Sequence, residues 1–291
     1  GRVIVKNDSK ESLYNTSNII LATGARPKIV KGLEHDNKHI WSYKDAMIPE
    51  KKPESLLVIG AGAIGIEFAS FYNDFGSDVT VIESQNEILP SEDIEVSLFA
   101  KKCFEQDKIK ILTSTTMKNI KSTKSGVEAE FIDKNGEKHK IKYSRAIVAI
   151  GIDANIEKIG LDTVNIKQDG GVILTDNNNE TSEKGIFAIG DLTGAPWLAH
   201  KASHEGINAV DYISNPNRNN KHNKIIPGCT YSRPQIASIG LTEEKAIAKG
   251  IKIKKGKFPL LGNGKAISLG YSDGFIKTIF NAETGELIGA H

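Results

Sequence analysis

The stretch from Leu56 to Glu83 constrains this chain more than any other part of it. It opens with Leu56-Leu57-Val58-Ile59, and a continuous apolar run is what a strand covered on both faces of a parallel sheet requires. Glycines follow at once, in Gly60-Ala61-Gly62-Ala63-Ile64-Gly65. In such a strand–turn–helix the first permits a tight turn, the second lets the backbone approach a pyrophosphate, and the third lets helix and strand pack closely. The helix start leaves unpaired N–H groups and a positive dipole end, which together form an anion site. Ile64, Phe68, Phe71 and Phe75 recur at helical spacing, predicting one apolar face turned to the sheet, and Gly76 stops the helix. A second strand, Val79-Thr80-Val81-Ile82, ends in Glu83, where the fingerprint places its acid. A lone glycine turn would mean little; the whole pattern predicts a dinucleotide site. Glu83 suits a ribose diol and repels a 2′-phosphate, and neither Ser84 nor Gln85 supplies a cation, so NAD is expected rather than NADP.

A chain of 291 residues suggests about two domains. Its net charge of +2 is too near zero to argue for nucleic acid or a membrane surface, and no apolar run approaches the roughly 18 residues of a membrane span. Two cysteines, Cys103 and Cys229, cannot build a disulfide framework, so a reducing compartment is expected. Each reads as a core or strand residue. The chain starts at Gly1 in strand-like sequence and ends on the apolar Leu287-Ile288-Gly289-Ala290-His291. It is therefore expected to be the middle of a longer protein.

Residues 1–28 read as strands and 29–55 as a connector broken by Pro49 and Pro53. A helix is predicted through Ile94, Leu98 and Phe104, then a strand at Ile109 to Leu112. A hairpin turns at Asn135-Gly136. Three apolar strands end in glycine, at Gly24, Gly151 and Gly190. This exposes bare backbone at the carboxyl edge, where open α/β sheets bind ligands. Asn215 to Asn220 reads as a linker. Beyond it strand-like pieces surround one short helix, capped by Thr242 and ended by Gly250. His200 and His204 stand four apart on a helix, but no cysteine or third histidine lies nearby, so no metal site is expected.

At Gly190-Asp191-Leu192 and Leu198-Ala199-His200-Lys201-Ala202 the sequence becomes specific. Together with Ala22-Thr23-Gly24, Ile40-Trp41-Ser42-Tyr43, the Gly60 fingerprint, Ile226 to Tyr231 and Leu287 to His291, it resembles the flavoprotein disulfide reductases, and within them the lipoamide branch. The resemblance implies an α/β fold: two Rossmann-like dinucleotide-binding domains, the FAD-binding one incomplete, and the start of an α+β dimerisation domain. The implied boundaries are 1–49 (FAD-binding), 50–152 (NAD-binding), 153–223 (FAD-binding, second segment) and 224–291 (dimerisation). It implies FAD contacts at Thr23, Gly24, Ala25, Asp191, Trp197, Leu198, Ala199 and His200. Asp191 would accept from the ribitol hydroxyls. NAD contacts are implied at Gly60, Ala61, Gly62, Ala63, Ile64, Gly65, Glu83, Met117 and Gly151, with Glu67 near the nicotinamide–flavin junction. On the residues alone, Asp191 and Gly151 also read as plain turn residues and Met117 as a wall.

The family's redox cysteine pair and catalytic histidine match nothing here, so no catalytic residue is assigned in this chain. Ile152-Asp153-Ala154 also departs from the Arg-x-Pro of many relatives. The resemblance further implies a homodimer serving the lipoyl domains of a 2-oxo acid dehydrogenase complex, in the cytoplasm or alternatively the mitochondrial matrix. An NADH oxidase or transhydrogenase of the same architecture, and a redox-inert NAD-binding module, are the alternatives.

Overall fold

The computed structural model describes residues 1–7, 9–217 and 225–291. They form two compact units, one of Gly1–Arg26 with Ile152–Ile226, the other of Pro27–Gly151 with Pro227–His291.

The larger unit is built on a parallel sheet in the order Ile40–Trp41, Arg145–Val148, Ser55–Ile59, Asp78–Ile82, Lys110–Leu112. Its central strands are apolar throughout because both faces are covered. Leu56 and Val58 point into one core with Ile66, Ala69, Tyr72 and Phe104 from the helices Ala63–Asp74 and Ile94–Gln106. Leu57 and Ile59, one residue out of phase, point into a second core with Ile120, Val127, Ala129 and Phe131. That second core lies under an antiparallel sheet of Thr116–Ser122, Val127–Ile132 and Lys138–Tyr143. The hairpin at Asn135-Gly136 forms as expected; its third strand, Thr116–Ser122, has no counterpart in the sequence reading.

Three other expectations change. The Ala63–Asp74 helix buries Gly65, Ile66, Ala69 and Tyr72, whereas Phe71 is 47% and Phe75 62% exposed. The helix must approach the sheet to backbone contact at Gly65, so the row through Gly65, Ile66, Ala69 and Tyr72 forms its inner face and most of the phenylalanine row turns outward. Phe68 packs against the core, and Phe71 meets it only at the edge of Tyr72. Residues 27–49, expected with the FAD-binding segment, cluster with the parallel sheet. Ile40–Trp41 is its edge strand, followed by the helix Tyr43–Met47, whose Ala46 carbonyl accepts from Tyr72 Oη at 2.6 Å. A two-residue strand is too short to show any periodicity. Lastly, the C-terminal segment holds two short helices, Glu243–Ala248 and Gly264–Leu269, not one.

That segment is an antiparallel sheet in the order Gly228–Thr230, Ile236–Gly240, Leu287–Ala290, Phe275–Asn281, Ile253–Pro259. Asp93 joins it to the parallel sheet's helical layer. One carboxylate oxygen caps the Ile94–Gln106 helix at Glu95 N (3.1 Å), and the other accepts from Glu243 N, at the first residue of the next helix (3.1 Å). Lys277, 1% exposed, places its ammonium 2.9 Å from Asp93, 2.9 Å from Glu95 and 2.6 Å from Glu243. Burial alone would lower the Lys277 pKa, but the three carboxylates outweigh it and raise it.

The smaller unit holds the hairpin Arg2–Asn7/Lys10–Asn15 and a parallel pair, Ile19–Leu21 beside Ile186–Ala188. Its core gathers Ala154, Ile166, Ile173, Ala188 and Leu192. The helix Ala199–Ser214 ends at Asn215. Of the expected linker, Asn219 and Asn220 lie outside the described residues.

Candidate functional site

The glycines after Ser55–Ile59 meet three different constraints. A Cβ on Gly60, at φ +99°, would lie 2.4 Å from the Ala149 carbonyl oxygen of the neighbouring strand's end. A Cβ on Gly65 would lie 1.9 Å from the Gly60 carbonyl oxygen. Gly62, with φ −71°, has nothing within 4 Å of that position. Two glycines are thus required by the protein's own packing, while the middle one faces open space at the helix N-terminus, where a bulky anion would approach. Ala63 and Ile64 form the exposed first turn, and Ala61 is fully buried.

Glu83 is buried (7% exposed) at the end of the adjacent strand. Its Oε2 accepts from Ala61 N at 2.7 Å, and its Oε1 accepts from Gln85 N at 2.8 Å and Ser84 Oγ at 3.1 Å. The acid therefore braces the glycine loop as well as standing where a ribose is expected. A carboxylate offers about four lone-pair positions, so acceptor capacity remains. Gly151 turns with φ +119° beyond the Arg145–Val148 strand, next to the Gly60 strand in the sheet. Met117 is half-buried against the second core, as a wall residue would be. Glu67 is committed in part: its Oε1 accepts from Tyr231 N at 2.8 Å. That contact with the C-terminal sheet was not legible in the sequence, because 164 residues separate the partners.

In the smaller unit the Thr23–Ala25 segment is cross-tied to Asn155. Thr23 Oγ1 donates to Asn155 O (2.6 Å), Asn155 Nδ2 donates to Thr23 O (2.9 Å) and Asn155 N donates to Gly24 O (2.9 Å). The Thr23 hydroxyl proton is used internally, and the Gly24 turn leaves open space around its α-carbon. Asp191 follows Gly190 in a 3-10 turn, Gly190–Thr193. Its half-buried carboxylate has no hydrogen-bond partner among the described residues. An acceptor so placed suits a polyhydroxyl ligand. Trp197 is exposed, Leu198 is the N-cap, and Ala199 and His200 begin the Ala199–Ser214 helix, whose positive end favours negative charge.

Two residues of this helix that bind the Gly190–Thr193 turn were given no role in the sequence reading. Lys201, 7% exposed, donates to Thr193 Oγ1 (2.8 Å) and Gly190 O (3.2 Å) and pairs with Glu205 at 2.9 Å. The other oxygen of Glu205 accepts from Gly190 N at 2.7 Å. The available signal was a lysine and glutamate four apart just inside a helix start, a spacing more common on solvated faces.

Cys103 and Cys229 are both half-buried and unpaired, and burial raises the Cys103 thiol's pKa. Asp133, Glu137 and His139 draw together at the hairpin tip, where Asp133 accepts from Asn135 N (2.9 Å) and Glu137 N (3.0 Å) and lies 2.9 Å from His139 Nε2. Turn hydrogen bonding accounts for that group. Among the described residues no helix is long and apolar enough to cross a membrane.

Residues 1–206 match the family model described as pyridine nucleotide-disulphide oxidoreductase, and residues 226–291 match that family's dimerisation domain. The chain is 48% identical over 290 residues to a dihydrolipoyl dehydrogenase of Zymomonas mobilis, covering 99% of this chain and 62% of that protein. It is 45% identical to one of Rhizobium etli, covering 98% of this chain and 60% of that protein. LpdA from Mycobacterium tuberculosis superposes with a TM-score of 0.88 at 25% identity, covering 99% of this chain and 65% of that one. The HOCl-induced flavoprotein disulfide reductase RclA from Escherichia coli, at 20% identity, shares the fold with a TM-score of 0.83 over 96% of this chain and 64% of that one. The chain spans less than two thirds of the length of these relatives.

Proposed function

The chain belongs to the pyridine nucleotide-disulphide oxidoreductase family, and from that premise we propose that the full-length protein acts as a dihydrolipoyl dehydrogenase, oxidising protein-bound dihydrolipoamide and reducing NAD. The observation that carries the reading is the Gly60–Gly65 cradle, closed to a Cβ at both ends and open at Gly62. The names of the relatives supply the substrate.

FAD and NAD, when bound, supply the two-electron chemistry between a dithiol and the nicotinamide. This chain's residues bind and orient. The Gly60–Gly65 backbone and the helix start behind it would hold the NAD pyrophosphate. Glu83 would hold the adenosine ribose and disfavour a 2′-phosphate. Met117 and Gly151 would line the remainder, with Glu67 toward the nicotinamide. Thr23, Gly24 and Ala25 would hold FAD through backbone atoms, since the Thr23 hydroxyl is already bonded. Asp191 would accept from the ribitol, and Trp197, Leu198, Ala199 and His200 would meet the flavin's edge. Thiol–disulfide exchange needs a cysteine pair. Cys103 and Cys229 do not form one, so the reactive pair and the catalytic base belong to the part of the protein outside residues 1–291. The whole protein is a homodimer through the domain that begins at residue 226, works in the cytoplasm, and is served by lipoyl domains of a 2-oxo acid dehydrogenase complex.

The test is the purified full-length protein. A flavin absorbance band and NAD reduction dependent on dihydrolipoamide are expected. A colourless protein, or one that oxidises NADH with oxygen alone or passes hydride to NADP, would overturn the reading. Residues 1–291 by themselves are expected to give no dihydrolipoamide turnover.

A further inference from the structure

Lysine is almost never buried unless it is paired, and a cation in the first turn of a helix opposes the helix dipole. Lys201 has both disadvantages: it is 7% exposed and lies in the first turn of Ala199–Ser214. Its three donor positions are nevertheless all used, on Gly190 O, Thr193 Oγ1 and Glu205 Oε1. Glu205 in turn takes the Gly190 N–H, and Thr193 Oγ1 also donates to Gly190 O at 2.9 Å. Both peptide groups that flank the α-carbon of Gly190 are therefore tied to one ion pair, whose lysine is buried and whose glutamate is half-buried. Gly190 sits at φ +74°, in left-handed backbone, and a Cβ there would come within 3.3 Å of Ala202. The next residue is Asp191, whose own carboxylate is bonded to none of the described residues. No hydrogen bond to a described residue aims that carboxylate; its backbone is set by the Gly190 peptides, and these are held from the helix.

We propose that Lys201 and Glu205 are a positioning pair that fixes the direction of the Asp191 carboxylate toward the hydroxyls of a bound flavin nucleotide. This rests on the FAD reading above. Neither residue touches the ligand. Their work is to keep the Gly190–Thr193 turn from rotating, so that one acceptor is ready without reorganisation when the ligand arrives. Preorganisation of this kind shows itself as affinity.

The experiment measures FAD affinity by reconstituting the full-length apoprotein, with NADH binding and thermal unfolding recorded in parallel. Lys201→Met is expected to weaken FAD binding about tenfold or more, with NADH binding unchanged. Lys201→Arg, which keeps the charge, is expected to restore most of the loss. Asp191→Asn is measured alone and combined with Lys201→Met. If Lys201 acts through Asp191, the double variant loses clearly less than the sum of the two single losses. Glu205→Gln is read alongside, so that a folding defect in Lys201→Met does not decide the matter. It keeps one acceptor for the Gly190 N–H but not the charge, and a smaller loss of the same non-additive kind is expected. Additive losses, or wild-type FAD affinity in either well-folded variant, would overturn the positioning role while leaving the FAD reading intact. A wild-type protein that binds no FAD would overturn both.

Discussion

Gly62 and Gly65 stand three residues apart and answer oppositely to one added methyl group. At Gly65 the methyl would meet the Gly60 carbonyl oxygen at 1.9 Å, and at Gly62 it would meet nothing within 4 Å. Gly65→Ala is therefore expected to destabilise the protein by about 1–3 kcal/mol or more, as overpacking does, seen as a lower denaturation midpoint. Gly62→Ala is expected to leave stability within about 0.5 kcal/mol yet weaken NADH binding about tenfold or more, because its methyl occupies the approach of the pyrophosphate. Equal effects on stability would refute the distinction. Glu83→Gln removes a charge and turns an amide toward Ala61 N or Gln85 N, both of which are donors. A rise in the NADH dissociation constant of about tenfold or more is expected, from the loss of charge-assisted hydrogen bonds. Titration of NADH fluorescence checks it; unchanged affinity would remove Glu83 from the site.

Between elements, the Asp93 junction is the contact with the largest expected effect. It joins the starts of two helices to Lys277 of a strand, across 184 residues of sequence. Removing one partner leaves charges buried and unpaired, so Lys277→Met is expected to cost about 3–5 kcal/mol, readable by urea denaturation. A loss under about 1 kcal/mol would place the junction among exposed, weak pairs. The acid side gives a second check. Burial pushes the Asp93 pKa up, but Lys277 and two backbone N–H groups bring it below its ordinary 3.8. Glu95 is held below 4.5 by Lys257 and Lys277, and Glu243 below 4.5 by Lys255 and Lys277. Folded-state values below unfolded ones mean that the unfolded chain binds more protons, so this stability is present in full above the ordinary carboxylate range and is lost as pH falls below that range through the depressed folded-state values. Lys277→Met is expected to flatten that acid limb; a limb of unchanged slope would show that other carboxylates carry it.

At the scale of the whole molecule, each unit carries its proposed ligand residues on turns that follow parallel strands: Gly60 and Gly151 in the larger, Thr23 and Asp191 in the smaller. Parallel strands carry all their C-terminal ends to one edge, so a short turn there presents bare backbone. The match of residues 226–291 to a dimerisation domain, with Leu261, Ile267, Leu269 and Tyr271 exposed on it, predicts that the full-length protein sediments as a dimer at micromolar concentration. A monomer under those conditions would refute this.

The parallel-sheet unit from Leu56 to Glu83, the hairpin at Asn135-Gly136 and the Thr242 cap could be read from the chain alone, because each rests on interactions among neighbours in sequence. Periodicity, turn glycines and caps are local. Which face of the Ala63–Asp74 helix turned inward was not local: the row with more aromatic rings lost to the row that let the backbone close on Gly60. The edge strand Ile40–Trp41, the Glu67–Tyr231 bond and the Lys277 junction likewise required the chain to return on itself from a distance. Lys201 and Glu205 are near Gly190 in sequence, yet the burial of Lys201, and with it the pair's hold on the turn, came only from packing. Sequence set which segments could be strands, turns and helix starts; tertiary structure decided which polar groups left water together, since burial is a property of the assembled layers.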